Sequence, residues 1–424
     1  MLLLTFLQRK PNSVRLLKIL YLSYDGMTDP LGQSQVLPYL EGLAAAGHEI
    51  WLISFEKSER FSQSEQLIRS LIKGKSIHWH PEMYTAKPPV ISTLKDVRRL
   101  KKSAKMLIQE FGIEAVHCRS YITALAGLEI KRKLKLKFVF DMRGFWADER
   151  IDGGIWKLSN PIFSTIYKFF KKKEKQFLLE ADAVVSLTQN AADEIHSWAG
   201  MENVPITVIP CCADLHLYQA KADDDPNVLK WRKMLDLSAQ KFVLSYLGSL
   251  GTWYMLNEML DYFSVLLKEK PEAMFLFITP DAPEMIIRAA ADKGIPKASL
   301  RITKAARKEV PELAALSTVS IFFIKPSFSK KASSPTKMGE LMAAGIPLIV
   351  NSGVGDVETI LRDGGNGHVI GSFSTENYRE SVDRLDALLK SNPANSVACA
   401  NRWYSLNEGV NRYKAIYQKF EVGS

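Results

Sequence analysis

The segment from Ile321 to Ile360 reads IFFIKPSFSKKASSPTKMGELMAAGIPLIVNSGVGDVETI. Its first residues are β-branched and aromatic, which is typical of a strand buried on both faces, and a loop rich in serine and lysine follows. Ser334 and Pro335 predict a helix N-cap and first helical position, and Gly345 predicts the end of that helix. A second apolar strand begins after Pro347. This order of strand, loop, helix and strand indicates a parallel α/β sheet, whose loops bind ligands at one sheet edge.

The loop and the first helical turn carry three cations, Lys330, Lys331 and Lys337. A helix N-terminus already attracts anions through its partial positive charge and its unpaired N–H groups, so the site would suit a diphosphate. Glu340 follows Lys337 by three residues, where a carboxylate could accept two hydrogen bonds from a vicinal diol such as a ribose. The pattern predicts a nucleotide site. The alternative is that these are ordinary solvated helix and loop residues.

Length and composition indicate the number of domains and the charge of the binding partner. A chain of 424 residues with 46% hydrophobic residues is long enough for two domains with separate cores. The net charge of +10 favours an anionic partner, namely a nucleotide phosphate, an acidic membrane surface or nucleic acid. The sequence contains no recognised nucleic-acid module, so nucleic acid is not expected.

The cysteines and the N-terminus bear on location. The four cysteines lack zinc-type spacing, and the adjacent Cys211 and Cys212 are poor disulfide candidates, which favours a reducing, cytoplasmic compartment. The initial MLLLTFL is too short for a secretory signal, so residues 1–14 are interpreted as a tail. No apolar run approaches the roughly 20 residues that cross a bilayer.

The first half of the chain opens with a βαβ unit. Its predicted parts are a strand, a loop, a helix and a strand, at Leu16–Tyr24, Asp25–Gln33, Ser34–Ala46 and Glu49–Phe55. The unit resembles half of a Rossmann fold but lacks GxGxxG and offers only Glu56 as an acidic residue near its second strand, so NAD is not expected. Gly32 could let the backbone approach a substrate, or the loop could be a plain connection.

Charged residues follow two further strands of this half. Strand Glu114–Cys118 carries His117 near its end, and strand Phe138–Phe140 leads into a predicted glycine-punctuated loop, Asp141–Trp156. Such residues are costly in a core and lie where α/β sheets do their chemistry. We predict that a second binding surface, which would hold an acceptor molecule, is built from Arg119, Arg143, Asp148 and Glu149. His117 could equally be a satisfied, semi-buried histidine.

A predicted helix at Pro161–Glu180 combines lysines with phenylalanines. Its basic residues are Lys168, Lys171, Lys172, Lys173 and Lys175. Such a helix could rest on anionic lipid as a peripheral contact, or it could present a solvated basic face.

The composition turns polar and acidic between Cys212 and Asn227, which is interpreted as a linker. Asp223–Asp225 contains an Asp-x-Asp spacing, but it does not follow a buried strand, so no metal site is expected. The predicted domains are an N-terminal acceptor domain at 15–212 and a C-terminal donor domain at 228–400, followed by a C-terminal helical segment at 401–424.

The second half repeats the pattern of the first. A strand at Phe242–Leu247, a glycine loop at Gly248–Thr252, a helix at Trp253–Lys268 and a strand at Ala273–Thr279 follow one another. Two Rossmann-like domains are therefore predicted, with Gly248, Ser249 and Ser334 on the donor side. The last helical stripe, Ser405–Phe420, is interpreted as packing.

Two long segments together resemble a known family. KILYLSYDGMTDPLGQSQVLPYLEGLAAAGHEIWLISFE and SSPTKMGELMAAGIPLIVNSGVGDVETI are similar to the retaining nucleotide-sugar glycosyltransferases of family 4, and the resemblance extends from Leu17 to Phe420. It implies the GT-B fold of two facing Rossmann-like domains, with the last helix crossing back to the N-terminal domain. It also implies that Gly32 lies by the donor sugar and that Glu340 holds the nucleotide ribose.

Three features depart from the family pattern. Ala332 stands where the first motif glutamate would contact the donor sugar, and Ser333 or Ser334 could substitute. The second-domain glycine loop lacks the usual Arg and Lys, so Lys330, Lys331 or Lys337 would have to bind the diphosphate. Cys211 and Cys212 replace an Asn-Gly pair. The predicted donor-binding residues are therefore Gly32, Gly248, Ser249, Lys330, Lys331, Ser334, Lys337 and Glu340.

The expected reaction moves a sugar from a nucleoside-diphosphate sugar to an acceptor with retention, with no metal or cofactor. The acceptor expected is a glycan or lipid-linked precursor in cell-surface polysaccharide synthesis. Lys337 would neutralise the departing diphosphate, which would itself deprotonate the acceptor hydroxyl. Asp141 or His117 as base is the weaker hypothesis. The rivals are a nucleotide-sugar epimerase of the same fold and a non-catalytic basic protein that binds membrane surfaces.

Overall fold

The computed structural model describes residues 16–238, 241–364 and 366–422; the predicted tail at 1–14 lies outside these ranges. The strands are β1 (Lys18–Ser23), β2 (Glu49–Glu56), β3 (Ile77–Met83), β4 (Ala115–Arg119), β5 (Lys137–Asp141), β6 (Ala183–Ser186), β7 (Ile206–Val208), β8 (Val243–Leu247), β9 (Met274–Ile278), β10 (Leu300–Thr303), β11 (Val319–Phe322), β12 (Leu348–Asn351) and β13 (Gly367–Ile370).

The α-helices alternate with these strands, as a parallel α/β protein requires. They are α1 (Pro30–Gln35), α2 (Leu37–Ala45), α3 (Ser58–Ile72), α4 (Ile91–Phe111), α5 (Ser120–Leu134), α6 (Trp146–Asp152), α7 (Pro161–Glu180), α8 (Gln189–His196), α9 (Pro226–Met234), α10 (Leu256–Glu269), α11 (Pro283–Ala291), α12 (Val310–Ala314), α13 (Thr336–Ala343), α14 (Val357–Gly364), α15 (Thr375–Asp383), α16 (Leu385–Leu389), α17 (Pro393–Tyr404) and α18 (Leu406–Val422). Short 3₁₀ turns add Leu215–Tyr218, Lys297–Ser299, Arg307–Glu309 and Phe328–Ala332.

In the described ranges the strands form two sheets. The first has seven strands in the order β3-β2-β1-β4-β5-β6-β7, and β1 pairs in parallel with both β2 and β4. In the β1–β4 register Ser23 is opposite Arg119, so the loops that follow both strands leave the same edge of the sheet. The apolar run predicted for β1 is buried, as expected for a parallel sheet covered on both faces.

The second sheet has six strands in the described residues, in the order β10-β9-β8-β11-β12-β13, with parallel pairing between neighbours. Every residue of β8, β9, β11 and β12 is buried, which explains the continuous apolar runs in the sequence. Because β8 and β11 are adjacent and parallel, the loops that follow them leave the same sheet edge. The predicted α/β class with two Rossmann-like sheets is confirmed.

The chain divides into two compact units. The first comprises the residues up to Asp141, Glu180–Ala183 and the segment from Val410 onwards, and the second comprises Met142–Leu179 and Val184–Gly409. Most of α18 thus belongs to the first unit, where the Tyr413 hydroxyl donates to Asp141 Oδ2 (2.9 Å). No helix in the described part of the chain has the length and apolar character needed to cross a bilayer.

Two local predictions were wrong. The helix predicted from Ser34 to Ala46 is two helices, α1 and α2, because Pro38 has no N–H to continue the first one and instead lies in the first turn of the second. The segment Asp141–Trp156, which was predicted as a glycine-punctuated loop, contains a helix, α6. The linker interpreted at Cys212–Asn227 stays a prediction; this segment contains the 3₁₀ turn Leu215–Tyr218 and the start of α9, which the Asp225 side chain caps.

Candidate active site

The candidate site is built at the edge of the second sheet where β8 and β11 end. The loop after β8 turns at Gly248, whose φ of 107° is strained for any residue with a side chain. Asp281 holds this loop, because its carboxylate accepts hydrogen bonds from Ser249 Oγ (3.0 Å) and from the Leu250 N–H (2.5 Å). The Ser249 hydroxyl is therefore used within the protein, and the loop presents mainly its backbone.

Lys337, in the first turn of α13, points its ammonium at this glycine loop. A Cβ on Gly248 would lie 3.1 Å from Lys337 Nζ. The same nitrogen lies 3.7 Å from the ring centroid of Tyr254 and 4.3 Å from that of Tyr246, and it donates to Tyr246 Oη (3.3 Å). Desolvation lowers the pKa of Lys337 to about 7, although the nearby carboxylates of Glu340 and Asp281 oppose the shift.

Glu340, the predicted ribose ligand, lies one turn further along α13. Burial raises its pKa, while the hydrogen bond from the Tyr218 hydroxyl and the charges of Arg307 and Lys337 favour its ionised form. Tyr218 comes from the 3₁₀ turn inside the segment interpreted as a linker. Sequence reasoning missed Tyr218 and Arg307, since nothing in the local pattern of either residue indicates that Tyr218 binds Glu340 or that the charge of Arg307 acts on it.

The segment after β11 forms a 3₁₀ turn, Phe328–Ala332, that is fixed by helix α6. The Ser329 N–H donates to Asp152 Oδ2 (2.9 Å), and Lys330 Nζ lies 2.8 Å from Glu149 Oε1. Lys330 is only 6% exposed, and its ammonium lies 3.6 Å from the ring centroid of Trp253. For this residue the alternative of a solvated basic face was wrong.

The other parts of the loop also differ from expectation. Lys331 is exposed and pairs with Glu194 Oε2 at 2.7 Å. Ser334 does not cap α13, because Pro335 occupies the N-cap position, and the Ser334 hydroxyl instead accepts a hydrogen bond from the Cys211 N–H (3.1 Å). Of the three predicted cations, Lys330 and Lys331 each have a carboxylate partner within ion-pair distance, whereas Lys337 lies among aromatic rings.

A cavity of about 220 Å³ opens beside this loop. Its lining combines residues predicted for both sides of the reaction: Arg143, Gly144, Phe145, Glu149, Leu187, Trp253, Tyr254, Ile324, Ser329, Lys330, Ala332, Ser333, Ser334 and Pro335. The structure therefore brings Arg143 and Glu149, predicted for the acceptor, together with Lys330 and Ser334, predicted for the donor. Arg143 also donates to Cys211 Sγ (3.2 Å).

Asp148 does not line this cavity. Its carboxylate is buried and accepts hydrogen bonds from the Tyr167 hydroxyl and from Lys171 Nζ, both at 2.8 Å, so it joins α6 to α7. This contact also removes Lys171 from the basic face predicted for α7, because its ammonium is bound to Asp148 and Glu174.

The remaining predicted residues lie in the first unit. Gly32 is buried, and a Cβ there would lie 2.1 Å from the Gly26 carbonyl oxygen, so the glycine is required by the packing of its own loop. Arg119 is buried and donates to Asp25 Oδ2 (3.1 Å). His117 is 1% exposed and lies 2.7 Å from Tyr417 Oη, while Asp141 is fully buried against Tyr413. The side chains of His117 and Asp141 thus pack against helix α18, as residues that stabilise the fold do. Their role as a catalytic base stays a prediction.

Glu56 serves the loop after β1. Its carboxylate accepts hydrogen bonds from the Met27 N–H (2.7 Å), the Thr28 N–H (3.0 Å), Ser54 Oγ (2.5 Å) and Thr28 Oγ1 (2.5 Å). With both oxygens engaged, this carboxylate holds the loop. Within the described ranges, no group of three or more His, Cys, Asp or Glu side chains is arranged to hold a metal ion.

Two family models match consecutive parts of the chain. Residues 34–217 match Glycosyltransferase Family 4, and residues 227–401 match Glycosyl transferases group 1. No curated protein sequence matches the chain significantly.

Solved structures with the same fold span nearly the whole chain at low identity. Sucrose-phosphate synthase from Thermosynechococcus elongatus is 13% identical with a TM-score of 0.70, and the alignment covers 96% of this chain and 100% of that one. A glycosyltransferase from Rickettsia africae is 14% identical with a TM-score of 0.70 and the same coverage. Anabaena Alr3699/HepE in complex with UDP-glucose is 15% identical with a TM-score of 0.63, covering 96% of this chain and 99% of that one. The chain therefore belongs to glycosyltransferase family 4 and is a retaining glycosyltransferase of the GT-B fold that uses a nucleotide-sugar donor.

Proposed function

We propose that this enzyme transfers a hexose from a uridine-diphosphate sugar to a glycan or lipid-linked precursor of a cell-surface polysaccharide, without a metal ion. The observation that carries the proposal is the placement of Lys337 and Glu340 on one helix beside the Gly248 loop. A uridine donor is supported by the Anabaena neighbour, whose structure holds UDP-glucose. In this proposal residues 15–212 form the acceptor domain, residues 228–400 form the donor domain and residues 401–424 return to the first.

The nucleotide would bind through two contacts of opposite charge. The Glu340 carboxylate, which accepts a hydrogen bond from the Tyr218 hydroxyl, would also accept hydrogen bonds from the two hydroxyls of a ribose. Lys337 lies one turn earlier, where its ammonium and the backbone of the Gly248 loop would meet the diphosphate. Because Lys330 and Lys331 already pair with Glu149 and Glu194, Lys337 is the loop cation that gains most from an incoming phosphate.

The contact between Lys337 and the diphosphate would also lower the barrier of the reaction. As the glycosidic bond to the diphosphate breaks, negative charge grows on the leaving oxygen, and a cation preorganised among aromatic rings stabilises it more strongly than water would. The departing diphosphate itself accepts the proton of the attacking acceptor hydroxyl. The acceptor therefore attacks the sugar on the same face from which the diphosphate leaves, and the anomeric configuration is retained. Asp141 or His117 as the base remains the weaker hypothesis.

A peripheral location at the cytoplasmic face of the membrane is proposed from the surface of α7 and the segment before it. Ile155, Leu158, Ile162 and Phe169 are exposed apolar residues, and Lys168, Lys172 and Lys175 are exposed beside them. Apolar residues bordered by lysines fit the interface of an anionic bilayer. Sedimentation with anionic vesicles should retain the wild-type protein but release the double variant Ile162→Glu, Phe169→Glu. Equal binding of both proteins would exclude this surface.

The deciding experiment for the activity is a thermal-shift screen with uridine, guanosine and other nucleotide sugars. A ligand at about 100 times its Kd should add about 2.7 kcal/mol to the free energy of unfolding. Stabilisation by a uridine donor in the wild type, and its loss in Glu340→Ala, would support the proposal. Absence of any shift across the panel would refute it. Product analysis with donor alone then tests the epimerase alternative, which requires no acceptor.

A further inference from the structure

The cavity beside the nucleotide site contains a cluster that the proposed nucleotide contacts do not use. Glu149 Oε1 lies 2.8 Å from Lys330 Nζ, and that ammonium lies 3.6 Å from the ring centroid of Trp253. All three residues line the cavity. The cavity adjoins the nucleotide site through Tyr254, which also lines it and whose ring centroid lies 3.7 Å from Lys337 Nζ.

The cluster is rigidly built. Lys330 is nearly inaccessible, so its ammonium is held in place by Glu149 on one side and by the Trp253 ring on the other. The Lys330 carbonyl accepts the N–H of Gly355, and the adjacent Ser329 N–H is bound by Asp152 of α6. The same short helix therefore positions both Glu149 and the turn that carries Lys330.

Glu149 retains capacity for a ligand. Its side chain is 42% exposed, and the contact with Lys330 uses Oε1. Among the described residues Oε2 has no hydrogen-bond partner. A carboxylate that lines a cavity, is oriented by a buried ammonium and keeps one oxygen without a protein partner is suited to accept hydrogen bonds from neighbouring hydroxyls, and the Trp253 ring in the same lining offers an apolar surface.

Two small residues in the lining of the same cavity leave room for such a ligand. Ala332 contributes only a methyl group, and Gly144 has no side chain; a Cβ at Gly144 would lie 3.8 Å from the Ala332 Cβ. A larger residue at either position would reduce the volume of the cavity that Glu149 also lines.

We infer that Glu149 binds the hydroxyls of the donor sugar and thereby contributes to which sugar is accepted, with Lys330 as the positioning residue that orients it. This inference rests on the proposed function. It moves Glu149 from the acceptor side to the donor sugar, and it supplies a carboxylate that Ala332 cannot provide.

The test compares UDP with UDP-sugars in calorimetric titrations of Glu149→Gln. The control is Glu194→Gln, which removes the charge from a carboxylate that pairs with the neighbouring Lys331 at 2.7 Å but does not line the cavity. UDP-glucose, UDP-galactose and UDP-N-acetylglucosamine are the probes, and the readout is the ratio of the Kd for each sugar nucleotide to the Kd for UDP.

In Glu149→Gln we expect this ratio to rise about 10-fold or more for the preferred sugar, while the Kd for UDP stays within about twofold. The control should change neither value. An unchanged ratio in Glu149→Gln would overturn the inference, as would a loss of UDP affinity equal to the loss for the sugar nucleotide, which would indicate a structural role. Failure of the wild type to bind UDP would instead refute the proposed function.

Discussion

The ammonium of Lys337 lies 3.7 Å from the ring centroid of Tyr254, in a setting that disfavours its charge. Desolvation lowers its pKa to about 7, so near neutral pH the free enzyme holds a mixture of ammonium and amine. A diphosphate would favour the ammonium and raise this pKa. Nucleotide binding and protonation are therefore expected to be coupled.

We predict that UDP binding at pH 8 takes up close to one proton, because Lys337 is mostly neutral before binding and charged afterwards. Affinity should consequently fall by up to about tenfold per pH unit above pH 7. Calorimetry in buffers of different ionisation enthalpy measures the uptake, and Lys337→Gln should abolish it. An uptake that persists in this variant would assign the proton to another group.

The lowered pKa of Lys337 should make the free energy of unfolding rise with pH, whereas UDP affinity should fall with pH. The folded-state pKa of about 7 lies below the ordinary 10.5, so between these values the unfolded chain binds more protons than the folded protein. The contribution of Lys337 to the free energy of unfolding should therefore rise with pH across that window. Urea titrations at pH 7 and pH 9.5 should show a smaller gain for Lys337→Met than for the wild type. Equal gains would contradict the shift.

Lys337→Ala should lower kcat by about 10- to 100-fold, because a charge-assisted contact to the leaving diphosphate contributes about 1.5–3 kcal/mol. Lys331→Ala is the matched control, since it removes an exposed lysine that pairs with Glu194, and its activity should stay within threefold of the wild type. Turnover of Lys337→Ala within threefold of the wild type would exclude its role at the phosphate.

Tyr218→Phe should weaken UDP binding by about 2- to 10-fold, because the Glu340 carboxylate loses the hydroxyl that orients it. A suitable comparison is Tyr262→Phe, which removes a hydroxyl that lies 3.3 Å from Ser381 Oγ in the core and should leave UDP affinity unchanged. If both variants bind UDP like the wild type, Glu340 does not depend on Tyr218.

Asp141→Asn tests the weaker hypothesis of a catalytic base. Because Asp141 is fully buried and bound by Tyr413, we expect a lower melting temperature and an unchanged pH profile of kcat. Tyr413→Phe should lower the melting temperature in the same way. A pH profile that loses its acidic limb in Asp141→Asn alone would restore the base role.

Glu56→Gln should lower the free energy of unfolding by about 1–3 kcal/mol. The NH₂ group of the glutamine would face N–H and O–H groups that now donate hydrogen bonds to the carboxylate. The exposed Glu59→Gln is the control for charge. Urea unfolding measures both, and equal stabilities would contradict the role of Glu56 in holding the loop after β1.

Much of the fold was predictable from local patterns. Apolar runs predicted β1, β2, β4, β5, β8, β9, β11 and β12, whereas β3 and β13 were not predicted, and α7 has the bounds that the sequence predicted. The errors arose where one local signal competed with another. Pro38 divided a continuous helical pattern, and Pro335 took the N-cap position that Ser334 was predicted to hold.

The site was predictable only in part. Lys337 and Glu340 share one helix, so their spacing in sequence already places them near each other. Nothing local could predict that Tyr218 would contact Glu340, or that Lys330 would be buried between Glu149 and Trp253. These partners come from distant segments, which meet only when the strands pair and the helices pack.

The sequence alone thus determined the class of fold, the family and the helix that carries Lys337 and Glu340, because these depend on residue periodicity and short spacings. The roles of the three loop lysines depended on tertiary structure. Lys330 and Lys331 received carboxylate partners, whereas Lys337 received aromatic rings and a lowered pKa. Chemically identical side chains have different roles here because long-range contacts, rather than residue type, decide what surrounds each ammonium, and for Lys337 the resulting desolvation lowers the pKa.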